Sequence, residues 1–289
     1  GDQSSCESRL PASRPGPARQ HLGSALGALW RVADDLADVD VALSVLARCV
    51  AGGACAELSM TSVAMTSAVT PKAAMPLDAR AALKVAVVVL AKAPLPGLAK
   101  TRLAQTVGND AAAALAHRLL THTLATARDS GLTATLCGSP AGHPLLVDLA
   151  KRAGLALTAQ AEGDLGQRLD AAITQALHAS DAVLVIGSDC PGLTVQHLQE
   201  AARELASHDA VFYPALDGGH TLIGLRKISA GLFKDMPWST SEVMPETLRR
   251  MAALGWRVWS GEPLADIDTA ADLVHLPSHW PRPVAESAP

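Results

Sequence analysis

From Lys84 onward, short apolar runs alternate with stretches in which apolar residues recur every three or four positions. Continuous runs such as residues 85–90 and 182–186 are typical of strands that are buried on both faces. The longer stretches predict amphipathic helices. Regular alternation of the two predicts an α/β protein with three α/β/α layers and a mostly parallel sheet.

The predicted strands lie at residues 85–90, 132–137, 155–159, 182–186, 210–213 and 221–225. The predicted helices lie at residues 109–130, 144–153 and 164–179, from Thr194 to about Leu205, and from a Ser239–Glu242 capping box to Gly255. In such sheets ligands bind beyond the carboxyl ends of the strands. The loops that follow the strands are therefore the first candidates for a functional site.

Residues 1–80 have a different composition. Residues 1–20 are rich in Ser, Pro and Arg, residues 21–50 carry apolar residues at helical spacing, and residues 51–80 resemble a linker. We therefore expect residues 1–80 to be a poorly ordered or partly helical extension and linker. Residues 81–280 would form the α/β domain, and residues 281–289 a tail.

Composition narrows the range of functions. Apolar residues make up 49% of the chain and aromatic residues only 3%, so the core must consist mainly of Ala, Leu and Val. A net charge of −4 argues against a protein that binds nucleic acid through its overall charge. The 5 cysteines are scattered, which favours a reducing compartment. With neither a signal-peptide pattern nor a long apolar run, we expect a cytoplasmic protein without a membrane span.

A basic loop, residues 91–102, follows the first predicted strand and contains Lys92, Lys100 and Arg102. Two prolines stiffen this loop, and Gly97 permits a close backbone approach or a positive φ. Lys100, Thr101 and Arg102 would present a charge, a hydroxyl and a forked donor to phosphate oxygens. The glycine spacing is neither that of a Walker loop nor that of a dinucleotide-binding turn. The alternative interpretation is a solvated basic turn.

Two carboxylates are candidates for binding a divalent cation, Mg²⁺ or Mn²⁺. Asp189 follows the strand at 182–186, where it would face the ligand crevice. Asp266 and Asp268 are two positions apart on an extended segment and would point to the same side, and we favour Asp268 as the second ligand. A turn residue at 189 and a helix cap at 268 are the alternatives.

Two further segments carry candidate residues. The turn Asp217-Gly218-Gly219-His220 separates two strands and would form an acceptor-side wall, in which Asp217 orients or deprotonates the acceptor. A plain hairpin turn and a structural histidine are the alternatives. The helix that begins near residue 164 offers its amino terminus and Arg168 to an anion or a base, unless its first turn is only solvated.

Taken together, these segments resemble a known family. KAPLPGLAKTRL, GDLGQRL, VLVIGSDCPGL, PALDGGHTLIGL, PWST and DIDTAADL, in this order between about residues 84 and 276, are similar to the motifs of the radical-SAM/selenodomain-associated transferases. The resemblance implies a GT-A-like nucleotide-diphospho-sugar transferase fold for residues 81–280. It also implies a relationship to the guanylyltransferases that act on molybdopterin or phospholactate.

The resemblance implies roles for individual residues. By this resemblance, the phosphates of the nucleotide would contact Lys92, Gly97, Lys100 and Arg102. The metal ion would be bound by Asp189 and Asp268, and the acceptor side would be formed by Asp217, Gly218 and Gly219. The family usually has Tyr where this chain has His220, so the contacts to the acceptor are expected to differ. Asp189 and Asp217 are the candidate catalytic residues.

Three functions remain open. The first is glycosyl transfer from a nucleotide sugar to a small-molecule acceptor, and the second is nucleotidyl transfer from a nucleoside triphosphate with release of pyrophosphate. Both would rely on positioning and charge neutralisation. The third is a non-catalytic nucleotide-binding module. A dinucleotide oxidoreductase is disfavoured, because its glycine pattern is missing.

Overall fold

The computed structural model of the protein describes residues 83–140 and 142–283. These residues belong to one compact unit, Met75–Pro289. The expected extension and linker at 1–80, and residues 284–289 of the expected tail, lie outside the described residues. The domain boundaries therefore stay predictions.

The described chain alternates between strands and helices, as its apolar pattern predicts. The strands are β1 Val85–Lys92, β2 Thr133–Ser139, β3 Ala156–Ala159, β4 Ala182–Ile186, β5 Ala210–Pro214, β6 His220–Leu225 and β7 Val258–Ser260. The helices are α1 Thr101–Val107, α2 Asn109–Asp129, α3 Pro144–Ala153, α4 Leu165–Leu177, α5 Val195–Glu204 and α6 Val243–Ala253. A short 3₁₀ helix, Ala271–His275, follows β7.

The seven strands form one sheet in the order β3-β2-β1-β4-β6-β5-β7. The pairs β1–β2, β1–β4, β2–β3 and β5–β7 are parallel. Strand β6 runs antiparallel to both of its neighbours. The prediction of a mostly parallel sheet in an α/β protein is therefore confirmed.

Apolar side chains cover both faces of this sheet. Along β1, Val87 and Val89 pack in one cluster with residues of α2 such as Leu124. Val88 packs in the opposite cluster with residues of α4 such as Ile173. Successive side chains of a strand point to opposite faces, so a continuous apolar run is what a strand between two helical layers requires.

Local signals account for several element ends. Gly154 ends α3 in the left-handed conformation with φ 70°, and Thr194 forms a capping box with His197 at the start of α5.

The predicted capping box at Ser239 is wrong. Ser239 has φ 63°, and α6 begins at Val243 without a side-chain cap. The Thr240 hydroxyl instead accepts a hydrogen bond from the Glu242 amide, which makes the segment a tight turn.

Two elements do not follow from the apolar pattern. Helix α1 has only two buried residues, Leu103 and Val107, which is too little for a helical period to be recognised. Strand β7 has three residues and depends on its pairing with β5. None of the helices within the described residues is long and apolar enough to cross a bilayer.

Candidate active site

The sheet register brings three loops to the same edge. Val89 of β1 pairs with Ile186 of β4 in parallel register, so the loops after both strands leave the sheet together. Leu222 of antiparallel β6 also pairs with Ile186, which places the start of β6 at this edge. The edge is therefore the carboxyl end of the parallel strands, where the sequence predicts the site.

Lys100 lies at the centre of this edge. Its Nζ is 2.6 Å from Asp189 Oδ1 and 2.9 Å from Asp268 Oδ1. The Lys100 side chain is only 6% exposed, whereas the two carboxylates are 44% and 42% exposed. Burial lowers the pKa of Lys100, but the charges and hydrogen bonds of both carboxylates outweigh burial and raise the pKa above its usual value. Lys100 is therefore a charged ammonium that joins two carboxylates.

The backbone holds the three residues of this ion-pair cluster in place. Lys100 adopts the left-handed conformation, with φ 50° and ψ 45°, which is uncommon for a residue with a Cβ. The Ile267 amide donates to the Asp189 carbonyl at 2.9 Å, and Ile267 is fully buried. This hydrogen bond ties the segment that carries Asp268 to the loop after β4. The two carboxylates consequently meet at one point.

Asp272, rather than Asp268, stabilises the turn into the 3₁₀ helix. Its Oδ2 accepts from the Asp268 amide at 3.0 Å, from the Thr269 amide at 2.6 Å and from the Thr269 hydroxyl at 2.9 Å. The alternative interpretation of Asp268 as a helix cap is therefore wrong. Its carboxylate is available to Lys100.

A cavity of about 670 Å³ opens beside the ion-pair cluster. Four basic side chains line it, together with both carboxylates of the cluster and Thr101; these basic residues are Lys92, Lys100, Arg102 and Arg168. All of the predicted phosphate-binding residues except Gly97 thus share one cavity with the predicted metal ligands. Gly97 has φ 73° and lies in the exposed part of the same loop.

Gln160 is a cavity residue that the sequence pattern did not reveal. Its Nε2 donates to the carbonyls of Ala91 at 2.9 Å and Cys137 at 3.0 Å, which ties together the ends of β1 and β2. Its Oε1 accepts from Arg168 Nη1 at 3.4 Å, while Arg168 Nε donates to the Gly163 carbonyl at 2.9 Å. Gln160 follows β3 directly, so its place after a strand was the available signal.

A smaller cavity of about 250 Å³ shares Arg102 and Asp268 with the larger one. Asp217 and Asp266 also line it. Asp266 and Asp268 therefore both face this cavity, as their spacing of two residues predicts. Burial, followed by the charge of Asp217, raises the pKa of Asp266 to about 6. Asp266 lies beside the ion-pair cluster without belonging to it.

The Asp217 turn is tightly built. Asp217 Oδ1 accepts from the Gly219 amide at 2.9 Å, so the carboxylate also stabilises the turn. Gly218 has φ 94°, and a Cβ at this position would lie 2.5 Å from Ser241 Cα. Only glycine fits there. The turn is therefore fastened to the segment before α6.

Next to this turn, two buried nitrogen atoms have no hydrogen-bond partner among the described residues: His220 Nε2 and Trp238 Nε1. Parts of both residues are exposed, but these atoms are not. Burial lowers the pKa of His220 to about 4, so the ring is neutral at physiological pH. A buried polar atom without a partner costs about 1–3 kcal/mol.

Cys190 follows Asp189 but does not belong to the reactive groups. It is buried, and burial raises the pKa of its thiol to about 11. Since the thiolate is the nucleophilic form, Cys190 is a packing residue, as the sequence favours.

The donor set suits a hard divalent cation. Within the described residues, no group of three or more His, Cys, Asp or Glu side chains is arranged to hold a metal ion. Asp189 and Asp268, however, direct one oxygen each at the same ammonium and are partly exposed to the larger cavity. Mg²⁺ is commonly held by one or two carboxylates together with water and substrate phosphates. The residues present fit such a site.

A solved structure from another bacterium shares the fold of this chain. A proposed nucleotide-diphospho-sugar transferase from Desulfovibrio desulfuricans G20 is 30% identical, with a TM-score of 0.62 over 66% of this chain and 85% of that one. This similarity confirms the GT-A-like nucleotide-diphospho-sugar transferase fold.

More distant similarities also exist. 4-Diphosphocytidyl-2C-methyl-D-erythritol synthase from Anaerococcus prevotii DSM 20548 is 12% identical, with a TM-score of 0.46 over 67% of this chain and 96% of that one. Rv0371c from Mycobacterium tuberculosis H37Rv is 16% identical, with a TM-score of 0.44 over 68% of this chain and 98% of that one. No curated protein matches the chain significantly.

The profile of the family described as "Uncharacterized protein conserved in bacteria (DUF2064)" matches residues 119–240. This segment runs from α2 through the turn before α6 and contains Arg168, Asp189, Asp217 and His220. The chain therefore belongs to the DUF2064 family and has the fold of nucleotide-diphospho-sugar transferases.

Proposed function

We propose that the protein is a transferase that uses a nucleotide-activated donor and a divalent metal ion, with a nucleotide sugar as donor and a small molecule as acceptor. One observation carries this proposal: Lys100, Asp189 and Asp268 meet at the carboxyl edge of the sheet, beside a cavity with a basic wall. The relative described as a nucleotide-diphospho-sugar transferase supports the same reaction class.

The basic residues are assigned to the phosphates of the donor. Lys92 at the end of β1, Arg102 in α1 and Arg168 in α4 line the larger cavity from three different elements, so they can surround one polyanion. Forked guanidinium donors suit phosphate oxygens. The hydroxyl of Thr101, which also lines the cavity, adds a neutral donor.

Asp189 and Asp268 are assigned to Mg²⁺ or Mn²⁺, which would neutralise negative charge on the donor phosphates when bound. Lys100 supplies a positive charge to the same two oxygens in the absence of the ion. When the metal ion binds to these oxygens, the ammonium of Lys100 would move towards the donor phosphates, because the lysine side chain is long and flexible. Lys100 thus keeps the carboxylates together before the donor arrives.

The acceptor is assigned to the smaller cavity. This cavity shares Arg102 and Asp268 with the larger one, so a group bound there lies next to the donor phosphates. Asp217, held by the Gly218–Gly219 turn, is the candidate for orienting the acceptor or accepting its proton. His220 stands where the radical-SAM/selenodomain-associated transferases, which the motifs resemble, usually have Tyr.

Nucleotidyl transfer is the second candidate. The presence of Lys92, Lys100, Arg102 and Arg168 around one cavity favours it, because a triphosphate carries more negative charge than a sugar diphosphate. The two reactions differ in their products. Glycosyl transfer releases a nucleoside diphosphate, whereas nucleotidyl transfer releases pyrophosphate.

A thermal-shift panel of nucleotide sugars and nucleoside triphosphates, with and without Mg²⁺ or Mn²⁺, tests the proposal. We expect a metal-dependent increase in Tm with a nucleotide sugar, and its loss in Asp189→Asn at an unchanged basal Tm. Asp129→Asn, an exposed carboxylate on α2, is the matched control. A shift confined to a triphosphate would favour nucleotidyl transfer. A nucleotide that binds equally well to Asp189→Asn would favour a non-catalytic module.

A further inference from the structure

The described members of a third apolar cluster come from α1, α2 and the segment after β7 instead of from the sheet. Leu103 of α1, Leu119 of α2 and Ile267 belong to this third cluster, and each is at most 1% exposed. Lys100 directly precedes α1, and Asp268 directly follows Ile267. The apolar contacts of the third cluster therefore help to fix where these two partners of the ion-pair cluster lie.

Trp280 packs against the third cluster from the far end of the same segment. Arg118 Cζ lies 5.7 Å from the centre of the indole ring, which is a cation–π contact. The ring of His122 meets the indole edge-on, with the centroids 5.4 Å apart and the planes at 83°. Arg118 and His122 are four positions apart in α2 and so share one face of that helix. Trp280 thus attaches the end of the segment to α2.

The segment that carries Asp268 is consequently fastened at both ends. At its start, the Ile267 amide donates to the Asp189 carbonyl at 2.9 Å, and at its end Trp280 contacts α2. Between these two points, Asp272 accepts a hydrogen bond from the Asp268 amide at 3.0 Å. Without the attachment at Trp280, fewer contacts would hold the Asp268 carboxylate beside Asp189.

The smaller cavity depends on the same packing. Asp272 and His275 of the 3₁₀ helix line this cavity together with Asp268, whereas Arg102 faces it from α1. Helix α1 and the segment pack together in the third cluster. This cluster therefore sets the separation of the two walls as well.

We propose that Trp280 is a positioning residue for the metal site. Its contacts with Arg118 and His122 hold the segment that carries Asp268. The Asp268 carboxylate therefore stays at the point where one divalent cation can also reach Asp189. This inference rests on the proposed function, which assigns the two carboxylates to a metal ion. It adds a residue that none of the sequence motifs contains.

Hydrogen exchange measures the positioning in the protein alone. In Trp280→Ala, the amides of residues 264–276 should exchange about tenfold faster or more, because the hydrogen bonds of this segment open more often once its end is released. Exchange in β1 and β4 should stay within about twofold of the wild type. A selective change of this kind separates local release of the segment from a general loss of stability.

The affinity for Mn²⁺ alone, measured by electron paramagnetic resonance of the free ion, is the second measurement. Trp280→Ala should weaken it about tenfold or more, since residues that orient the ligands of a metal ion typically contribute this much. Trp280→Phe retains an aromatic face for Arg118 and should stay within about threefold of the wild type.

Arg118→Ala keeps the proposal testable if Trp280→Ala does not fold. Arg118 is exposed on α2, so its removal leaves the apolar clusters intact. Because this variant takes away the cation over the indole ring, both exchange at residues 264–276 and Mn²⁺ affinity should change in the same direction as in Trp280→Ala.

Trp256→Ala is the matched control. Trp256 is also partly buried and has a cation, Lys227, 5.2 Å from its ring centre, but it packs against the cluster that contains Val88. Its removal should lower Tm about as much as Trp280→Ala does. Neither the Mn²⁺ affinity nor the exchange of residues 264–276 should change.

The outcomes separate this inference from the proposed function. If the wild type binds no Mn²⁺, the metal site of the proposed function fails and this inference fails with it. If the wild type binds Mn²⁺, but Trp280→Ala retains the wild-type affinity or the wild-type exchange at residues 264–276, only the inference is overturned. An equal loss of Mn²⁺ affinity in Trp256→Ala would also overturn it, because Trp280 would then act only through overall stability.

Discussion

The Nζ of Lys100 lies 2.6 Å from Asp189 and 2.9 Å from Asp268, so one ammonium joins carboxylates from two separate segments of the chain. The same two carboxylates are the pair that fits a divalent cation. Lys100 and such a cation would therefore compete for the same oxygens. This competition leads to the first prediction.

Lys100→Met should raise the affinity for Mn²⁺ alone by about tenfold or more, because the competing ammonium is removed and two carboxylates are left without a counterion. The same variant should bind nucleoside triphosphates more weakly than the wild type. Electron paramagnetic resonance of free Mn²⁺ measures the first effect, and calorimetry measures the second.

Lys227→Met is the control for the loss of one positive charge, because Lys227 is 51% exposed and pairs with Asp209 on the surface. It should leave both affinities unchanged. If Lys100→Met left the Mn²⁺ affinity at the wild-type value, the two carboxylates would not form the metal site.

Gly187→Ala should reduce nucleotide binding without destabilising the protein. Gly187 lines the larger cavity, and a Cβ there would have no heavy atom within 4 Å, so the added methyl group enters open space. We expect about a tenfold loss of affinity for the preferred nucleotide. Calorimetry and thermal denaturation measure the two effects.

Gly192→Ala is a matched control in the same loop, because its Cβ would also lie in open space. Its affinity and its Tm should both equal those of the wild type. Equal nucleotide affinities for the two alanine variants would contradict the assignment of this cavity.

Stability at acidic pH should depend on His220. Its pKa is lowered to about 4 in the folded protein, so the unfolded chain binds more protons between that value and the ordinary pKa of histidine, about 6.5. The free energy of unfolding should therefore decrease as the pH falls through this window, by up to about 1.4 kcal/mol per pH unit from this residue.

Urea denaturation between about pH 4 and 7 measures this dependence, with wild type and His220→Phe compared at each pH. Other groups, such as Asp266 with its raised pKa, contribute to both curves and cancel in the difference. Parallel curves would mean that His220 is protonated in the folded state as readily as in the unfolded chain.

Arg250→Ala should destabilise the protein by about 1–3 kcal/mol. Arg250 Nη1 donates to the carbonyls of Gly231 at 3.2 Å and Leu232 at 3.0 Å, which holds the loop that precedes Trp238. The Arg250 side chain is 19% exposed, so solvent would replace these hydrogen bonds only in part. Chemical denaturation measures the change.

Arg249→Ala provides the comparison, because Arg249 and Arg250 both form an ion pair with Glu246 but the Arg249 side chain is 67% exposed. Surface ion pairs contribute little, so this variant should remain within about 0.5 kcal/mol of the wild type. Similar losses for both arginines would show that the pair with Glu246, rather than the hydrogen bonds to the loop, stabilises this region.

The sequence by itself determined the fold class and most of the elements. Continuous apolar runs predicted the buried strands, and Gly154 and Thr194 marked the ends of their helices, because side-chain periodicity and capping depend on neighbours a few positions away. It also located Asp189 and the basic loop, since both directly follow buried strands.

Only the tertiary structure decided how these residues combine. Lys100 forms an ion pair with Asp268, and the Ile267 amide donates to the Asp189 carbonyl. Both contacts join segments that are far apart in the sequence, so no local sequence pattern predicts them. Within the part of the chain that the structure describes, the buried Trp238 Nε1 has no hydrogen-bond partner, and this too is a property of the packed protein that no local pattern records. Residue types and local spacing supply the chemistry, whereas pairing across the sheet edge determines which groups act together.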